Sequence, residues 1–490
     1  MGILLSGGQV CDPASGFDRV ADVLLDGGKV AAVGPDLRAP EATVVDVRGL
    51  VVGPGFVDLH SHVHSVAGHR LQAMDGVTTA LDLEAGLMPI GRAYAQAAAS
   101  GRPLNYGFSA SWTSARGQVL LGIEPDAKIS TTFDMLGNTA WQRASTPAEL
   151  SAWLRLLESE LEAGALGIGV LQGYAPQNPP AEFMAVAGVA AAAGAPVFAH
   201  VRDLVEADPD TPVDGAHEIA TAAAETGGSL HHCHVNSSSR RHVDRVLSTL
   251  ERARSAGARI SVEMYPYGAG STALGAYFLD PVRLSGRGLR PSNLVVVATG
   301  ERIADDRRLR ELRTTDPGAL CVIEYLDERD PSDLALLRRA LVFPDSIVAS
   351  DAVPIGWPDG SHDTDGWPLP PGGTTHPRTA GAFTKALRLM VRESGTWSWL
   401  EAFRRCSYLP AQVLEEVAPA AHLKGRLSVG ADADIAVIDP SAVTDRATYL
   451  DPTRPAQGVR HLLVGGTFVV RDSELQQNAR PGRPVRGEPG

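Results

Sequence analysis

The sequence predicts an α/β fold: a (β/α)8 TIM barrel with a small β-sandwich domain built from both chain ends. Three observations carry this. Strand-like and helix-like segments alternate through the middle of the chain. β-rich stretches of similar texture stand at its two ends. Residues suited to chemistry fall at the C-terminal ends of the central strands, where a barrel places its functional groups.

At the N-terminal end, VADVLLDGGKVAAVG has two apolar runs around Asp-Gly-Gly, the signature of a hairpin. GRLSVGADADIAVIDP and HLLVGGTFVVRD repeat that texture near the other end. Residues 1–53 and 425–490 are therefore expected to pair into one small domain, with 54–424 forming the barrel. Within the barrel the alternation runs GVTTALDL, a helix near 91–100, the helical TPAELSAWLRLLESELEAGA before LGIGV, and AEFMAVAGVAAAAGA before PVFAHV. GAHEIATAAAETGG then precedes SLHHCHV, and a helix at 239–257 precedes ARISVEMYPY. Residues 273–345 break the rhythm and are expected to form an insertion and lid over the barrel mouth. The Gly/Pro-rich 353–378 is expected to form a second mouth loop, and the tail QQNARPGRPVRGEPG to be mobile or extended on a surface.

Composition narrows the partners. The 490 residues are 44% hydrophobic and 21% charged, ordinary for a globular chain. A net charge of −13 disfavours nucleic acid and anionic membrane. No long apolar run suggests a membrane span, and the start lacks the pattern of a signal peptide. Cys11, Cys233, Cys321 and Cys406 are scattered and form no CxxC pair. A cytoplasmic protein acting on a small molecule is the expectation; a homo-oligomer is compatible with it.

GFVDLHSHVH carries the strongest chemical signal. Strand alternation puts His60 and His62 on one face, and neutral imidazole is the commonest zinc ligand. His200 in PVFAHVRD and His234 in SLHHCHVNS end two successive βα units. His234 is preferred to His232, which shares its face, because it lies nearer the strand's C-terminal end. Asp351 closes the apolar SIVASD; a carboxylate there can bind metal and accept a proton from water.

These positions together resemble the amidohydrolase superfamily, whose pattern is HxH on the first strand, histidines on the fifth and sixth, and aspartate on the eighth. A narrower resemblance is to the N-acyl-D-amino-acid deacylases, including the D-glutamate-type branch, through GVTTALDLEAG, NYGFSASW, HVRD, YPYGAGST, SDAVP and HPRTAGAF. That resemblance implies one or two divalent ions, zinc first, and hydrolysis of a linear amide with Asp351 as proton carrier. It also implies that Tyr265, Ser271 and Arg378 hold the substrate carboxylate.

The chain departs from its relatives at two points. Some bridge their metals with a carboxylated lysine, but no lysine lies between Lys128 and Lys385. Others use a cysteine after the third strand; residues 76–90 contain none, and Glu84 is the bridging candidate. Some deacylases also carry lysine where Asn236 stands, so Asn236 is expected to contact the carboxylate as a neutral donor, with Arg202 assisting. The competing readings are a cyclic amidase resembling dihydroorotase or hydantoinase, to which HHCHVNS is also similar, and a scaffold of the same fold without catalysis.

Overall fold

In a computed structural model, residues 2–488 are described. The chain opens with β1 (Ile3–Asp12), β2 (Phe17–Asp26), β3 (Lys29–Gly34), β4 (Thr43–Asp46) and β5 (Val51–Pro54). Barrel strands follow: β6 (Phe56–Asp58), β7 (Val77–Leu87), β8 (Asn105–Ser111), β9 (Ile168–Val170), β10 (Val197–Ala199), β11 (Leu230–His232) and β12 (Ile260–Met264). Next come β13 (Ala269–Ala273), β14 (Leu294–Val296), β15 (Leu320–Glu324) and β16 (Ser346–Val348). The chain closes with β17 (Ile435–Ile438), β18 (Val459–Val464), β19 (Thr467–Arg471) and β20 (Glu474–Leu475).

Both ends of the chain contribute to one nine-stranded sheet, ordered β20-β19-β18-β17-β5-β1-β2-β3 with β4 on β1. The predicted hairpin is β2–β3, where Asp26 faces Lys29. Its two loop residues, Gly27 and Gly28, have φ of 57° and 77°, as a twist-matched two-residue turn requires. Where β17 lies antiparallel to β5, Ile435 faces Pro54 and Val437 faces Val52. Leu5, Val23, Val52, Ile435, Val437 and Leu463 share its core, so apolar burial couples the two ends of the sequence.

The eight-stranded sheet runs β16-β12-β11-β10-β9-β8-β7-β6. Registers within it are parallel from β9 through β12 and between β6 and β7. β6, β9, β10, β11 and β16 are buried at every position. Strands covered on both faces select apolar residues rather than alternation. First and last strands meet beyond their C-terminal ends through a parallel bridge between Ser61 and Ala352, with His62 N donating to Ala352 O at 2.9 Å. That contact links the two ends of the sheet at the level of the HxH motif.

Helices start where the sequence caps them. Thr146 and Glu149 form a reciprocal capping box on Pro147–Glu162. Asp214 accepts from Ala216 N and His217 N at the start of Gly215–Thr226. Residues 273–345 contain β14 and β15, joined by the helix Asp306–Thr315; with the preceding β13 they form a three-stranded antiparallel sheet in the order β13-β15-β14. Much of the tail lies extended, with Tyr106 N donating to Arg483 O (3.1 Å) and Val485 N to Tyr106 O (2.7 Å). Residues 489 and 490 lie outside the described residues.

Candidate active site

Two groups of metal-competent side chains stand at the C-terminal ends of barrel strands. The first follows β6. His60 Nε2 and His62 Nε2 are 3.1 Å apart, their rings edge to face at 80°. Asp351 Oδ1 lies 3.4 Å from His60 Nε2 and 3.8 Å from His62 Nε2. Asp351 has φ of 49°, a conformation aspartate adopts more readily than bulky residues but still at a cost. The turn aims its carboxylate at the histidines.

The sequence reading overlooked what holds this group in place. Asp58 is fully buried. It accepts from Ser350 N (3.0 Å), Ser350 Oγ and Gln72 Nε2 (2.9 Å). His60 N donates to the same carboxylate at 3.2 Å. Asp58 thus ties the HxH turn to the residue preceding Asp351. A signal was present: a lone acid in an apolar strand, on the same alternation as His60 and His62.

Arg378 begins the helix Arg378–Leu387 and is 1% exposed. One of its terminal nitrogens lies 2.8 Å from Asp351 Oδ1. Its backbone N donates to His376 Nδ1 at 3.1 Å. Part of its donor capacity is therefore directed to Asp351.

The second group joins three other strand ends. Glu84 Oε1 lies 3.1 Å from His200 Nδ1 and 2.7 Å from His234 Nε2, and the two histidine nitrogens are 3.1 Å apart. His200 directly follows β10. His234 lies two residues beyond the end of β11, in a left-handed turn with φ of 33°. Hence the turn, rather than strand alternation, brings it to Glu84. His232 bonds the Cys233 carbonyl through Nδ1 at 3.0 Å, and burial pulls its pKa down to about 3, so it is a neutral interior residue. His231 instead meets Glu263 on β12 at 3.0 Å, a buried pair the sequence did not announce.

Both groups fit a divalent ion. Tetrahedral zinc with bonds of about 2.0–2.1 Å sets its donor atoms about 3.3 Å apart. The nitrogen and carboxylate separations above scatter around that value. Each trio combines two imidazoles with one carboxylate, a donor set that suits zinc and related ions.

Around the second group, the Tyr265 ring lies 6.4 Å from that of His234. Ser271 Oγ, on β13, is buried without a hydrogen-bond partner among the described residues. Asn236 Nδ2 donates to Tyr265 O (3.1 Å) and Tyr325 Oη (2.7 Å), and its Oδ1 accepts from Tyr265 N (3.4 Å). It fastens the backbone that carries Tyr265. Arg202 forms a bidentate pair with Glu218 at 3.0 and 2.7 Å and donates to Pro176 O; its guanidinium is occupied by structure. Tyr174, not singled out by sequence, packs 4.8 Å from the His200 ring and bonds Thr272 Oγ1 at 2.7 Å.

Comparison with known proteins agrees with this architecture. The model of the amidohydrolase family matches residues 43–312 and 361–470. An N-acyl-D-glutamate deacylase of Alcaligenes xylosoxydans xylosoxydans is 29% identical over 99% of this chain and 96% of its own. A dihydroorotase of Solibacter usitatus is 49% identical, but over only 16% of this chain and 20% of its own. Among solved structures, the N-acyl-D-glutamate deacylase of Bordetella bronchiseptica, complexed with zinc and a phosphonate inhibitor, superposes with a TM-score of 0.75. It shares 24% identity over 99% of both chains. With the family model covering well over half its length, this chain belongs to the amidohydrolase family.

Proposed function

We propose that this chain removes the acyl group from N-acyl amino acids, D-configured ones first, using divalent cations, zinc foremost. The observation that carries the reading is that each of two donor trios, His60–His62–Asp351 and Glu84–His200–His234, is complete within itself. The full-length likeness to an N-acyl-D-glutamate deacylase supports it.

His60, His62 and Asp351 with Glu84, His200 and His234 would hold the divalent ions, which when bound would supply a water of lowered pKa, about 7, and polarisation of the amide carbonyl. The chain's own groups do the rest. Asp351 accepts a proton from the attacking water and returns it to the leaving nitrogen. Glu84 acts as the carboxylate that relatives supply by other means, needing no carbon dioxide. Arg378, Tyr265 and Ser271 hold the substrate carboxylate, the guanidinium as a planar fork and the hydroxyls as further donors. Asn236 serves this site by positioning Tyr265. The insertion spanning 273–345 would shield the reaction from water. The four cysteines are buried free thiols, which supports a reducing, cytoplasmic setting. No helix of the described residues is long and apolar enough to cross a membrane.

A hydrolysis screen of N-acetyl amino acids of both hands, beside hydantoins and dihydroorotate, tests the reading. Release of free D-amino acid is expected, with cyclic amides inert. Turnover of the cyclic amides alone would replace it with the cyclic-amidase reading, which the local dihydroorotase match favours. Inertness toward every amide, with metal bound, would favour the non-catalytic scaffold.

A further inference from the structure

Arg378 contributes its guanidinium to the proposed chemistry; separate contacts fix its backbone. The amide that opens a helix has no intrahelical acceptor, and Ser, Asp or Asn commonly supplies one. At Arg378 the acceptor is an imidazole: Arg378 N donates to His376 Nδ1 at 3.1 Å. Thr379 N donates to the His376 carbonyl at 3.0 Å. One residue therefore takes two successive amides, and Pro377 has no N–H to satisfy. His376 is fully buried. Because its Nδ1 accepts, the neutral ring carries its proton on Nε2.

The flanking threonines are pinned as well. Thr375 Oγ1 and Thr379 Oγ1 donate to Val353 O at 3.0 and 3.2 Å, and Val353 N donates to Thr379 Oγ1 at 3.1 Å. Val353 lies two residues beyond Asp351, so these bonds set the helix start against the segment that carries Asp351. Tyr449 meets the His376 ring edge to face, at 87° with centroids 5.3 Å apart, a favoured aromatic geometry. Tyr449 is 48% exposed and stands in the loop between β17 and β18. Thr448 N donates to Asp451 O at 3.1 Å and Asp451 N to Thr448 O at 3.2 Å, a turn that presents the tyrosine. Ala447 packs with Ala67, Leu71 and Ala380. A loop of the two-ended sheet thus reaches the start of the Arg378 helix.

We propose that His376 is a positioning residue for Arg378, fixing the helix start so that the guanidinium meets the substrate carboxylate, and that Tyr449 holds the imidazole in that role. The proposal rests on the deacylase reading, in which Arg378 binds that carboxylate. It gives the β17–β18 loop a part in substrate binding. Side-chain geometry makes the role specific. In asparagine Oδ1 stands on Cγ, where histidine has Nδ1, so the acceptor is kept. Leucine keeps the branching at Cγ and removes the acceptor.

Steady-state hydrolysis of N-acetyl-D-amino acids by the metal-loaded full chain tests this. His376→Leu should raise KM about tenfold while kcat changes by less than about threefold. His376→Asn should keep KM within about twofold of the unsubstituted value. Tyr449→Ala, at a half-exposed position, should raise KM about threefold, and it carries the test if His376→Leu does not fold. A KM left unchanged by either His376→Leu or Tyr449→Ala, or raised as far by His376→Asn as by His376→Leu, would overturn the proposal. If the unsubstituted protein hydrolyses no N-acyl amino acid, the deacylase reading fails, and the positioning of Arg378 is then read by hydrogen exchange over residues 376–382. Exchange there should quicken about tenfold in His376→Leu and stay unchanged in His376→Asn. Equal rates in all three proteins would overturn it.

Discussion

Asp351 has to meet two demands at once, ligation and proton transfer, and the structure shows how its position is fixed. Its left-handed backbone turns the carboxylate toward His60 and His62, with Arg378 against the same oxygen. Replacing it with asparagine keeps the shape and removes the proton acceptor. Asp351→Asn should lower kcat by about a hundredfold to ten-thousandfold while metal content, read by elemental analysis, stays within about half of the unsubstituted value. A near-normal rate would assign the base elsewhere. Asp58 is the hidden partner. Asp58→Asn strands Ser350 and Gln72 in a buried network, and the loss should be about 2–4 kcal/mol of stability, read as a lower denaturation midpoint. An unchanged midpoint would mean that the network adds nothing.

At the scale of elements, the helix Arg378–Leu387 carries its functional residue on a broken first turn. Gly381 departs from helical geometry. Just beyond the break, Asp75 accepts from Phe383 N (2.9 Å), Thr384 N (2.9 Å) and Thr384 Oγ1 (2.6 Å). Burial outweighs these bonds and pushes the Asp75 carboxyl up to about 7. A carboxyl whose folded pKa lies above its unfolded value of about 3.9 favours folding in its protonated form. Its contribution is complete below pH about 4 and is lost as pH rises through 7. The stability deficit of Asp75→Asn, from denaturant midpoints, should therefore be larger at pH 5 than at pH 8. A deficit that grows with pH would contradict this.

Legibility in the sequence also divides at this scale. The Asp-Gly-Gly hairpin and the HxH face follow from local rules of turn and pleat, so both could be read directly. The left-handed turns at His234 and Asp351 are set by tertiary packing and leave no local mark. Asn236 and Arg202 follow their histidines by two residues; only the structure shows that Asn236 bonds the Tyr265 backbone and Tyr325 Oη, and that Arg202 pairs with Glu218.

For the whole molecule, the barrel and the two-ended sheet were readable because apolar periodicity and strand-end chemistry repeat along the chain. The internal order of 273–345 was not, since short antiparallel strands paired across many residues lack a periodic signature. The account as a whole requires metal. Its most direct test is elemental analysis of one purified sample coupled to N-acyl-amino-acid hydrolysis, before chelation, after it, and after zinc is returned. The account predicts bound divalent metal, activity lost with the metal, and activity restored with zinc. Full hydrolysis by demonstrably metal-free protein would contradict it.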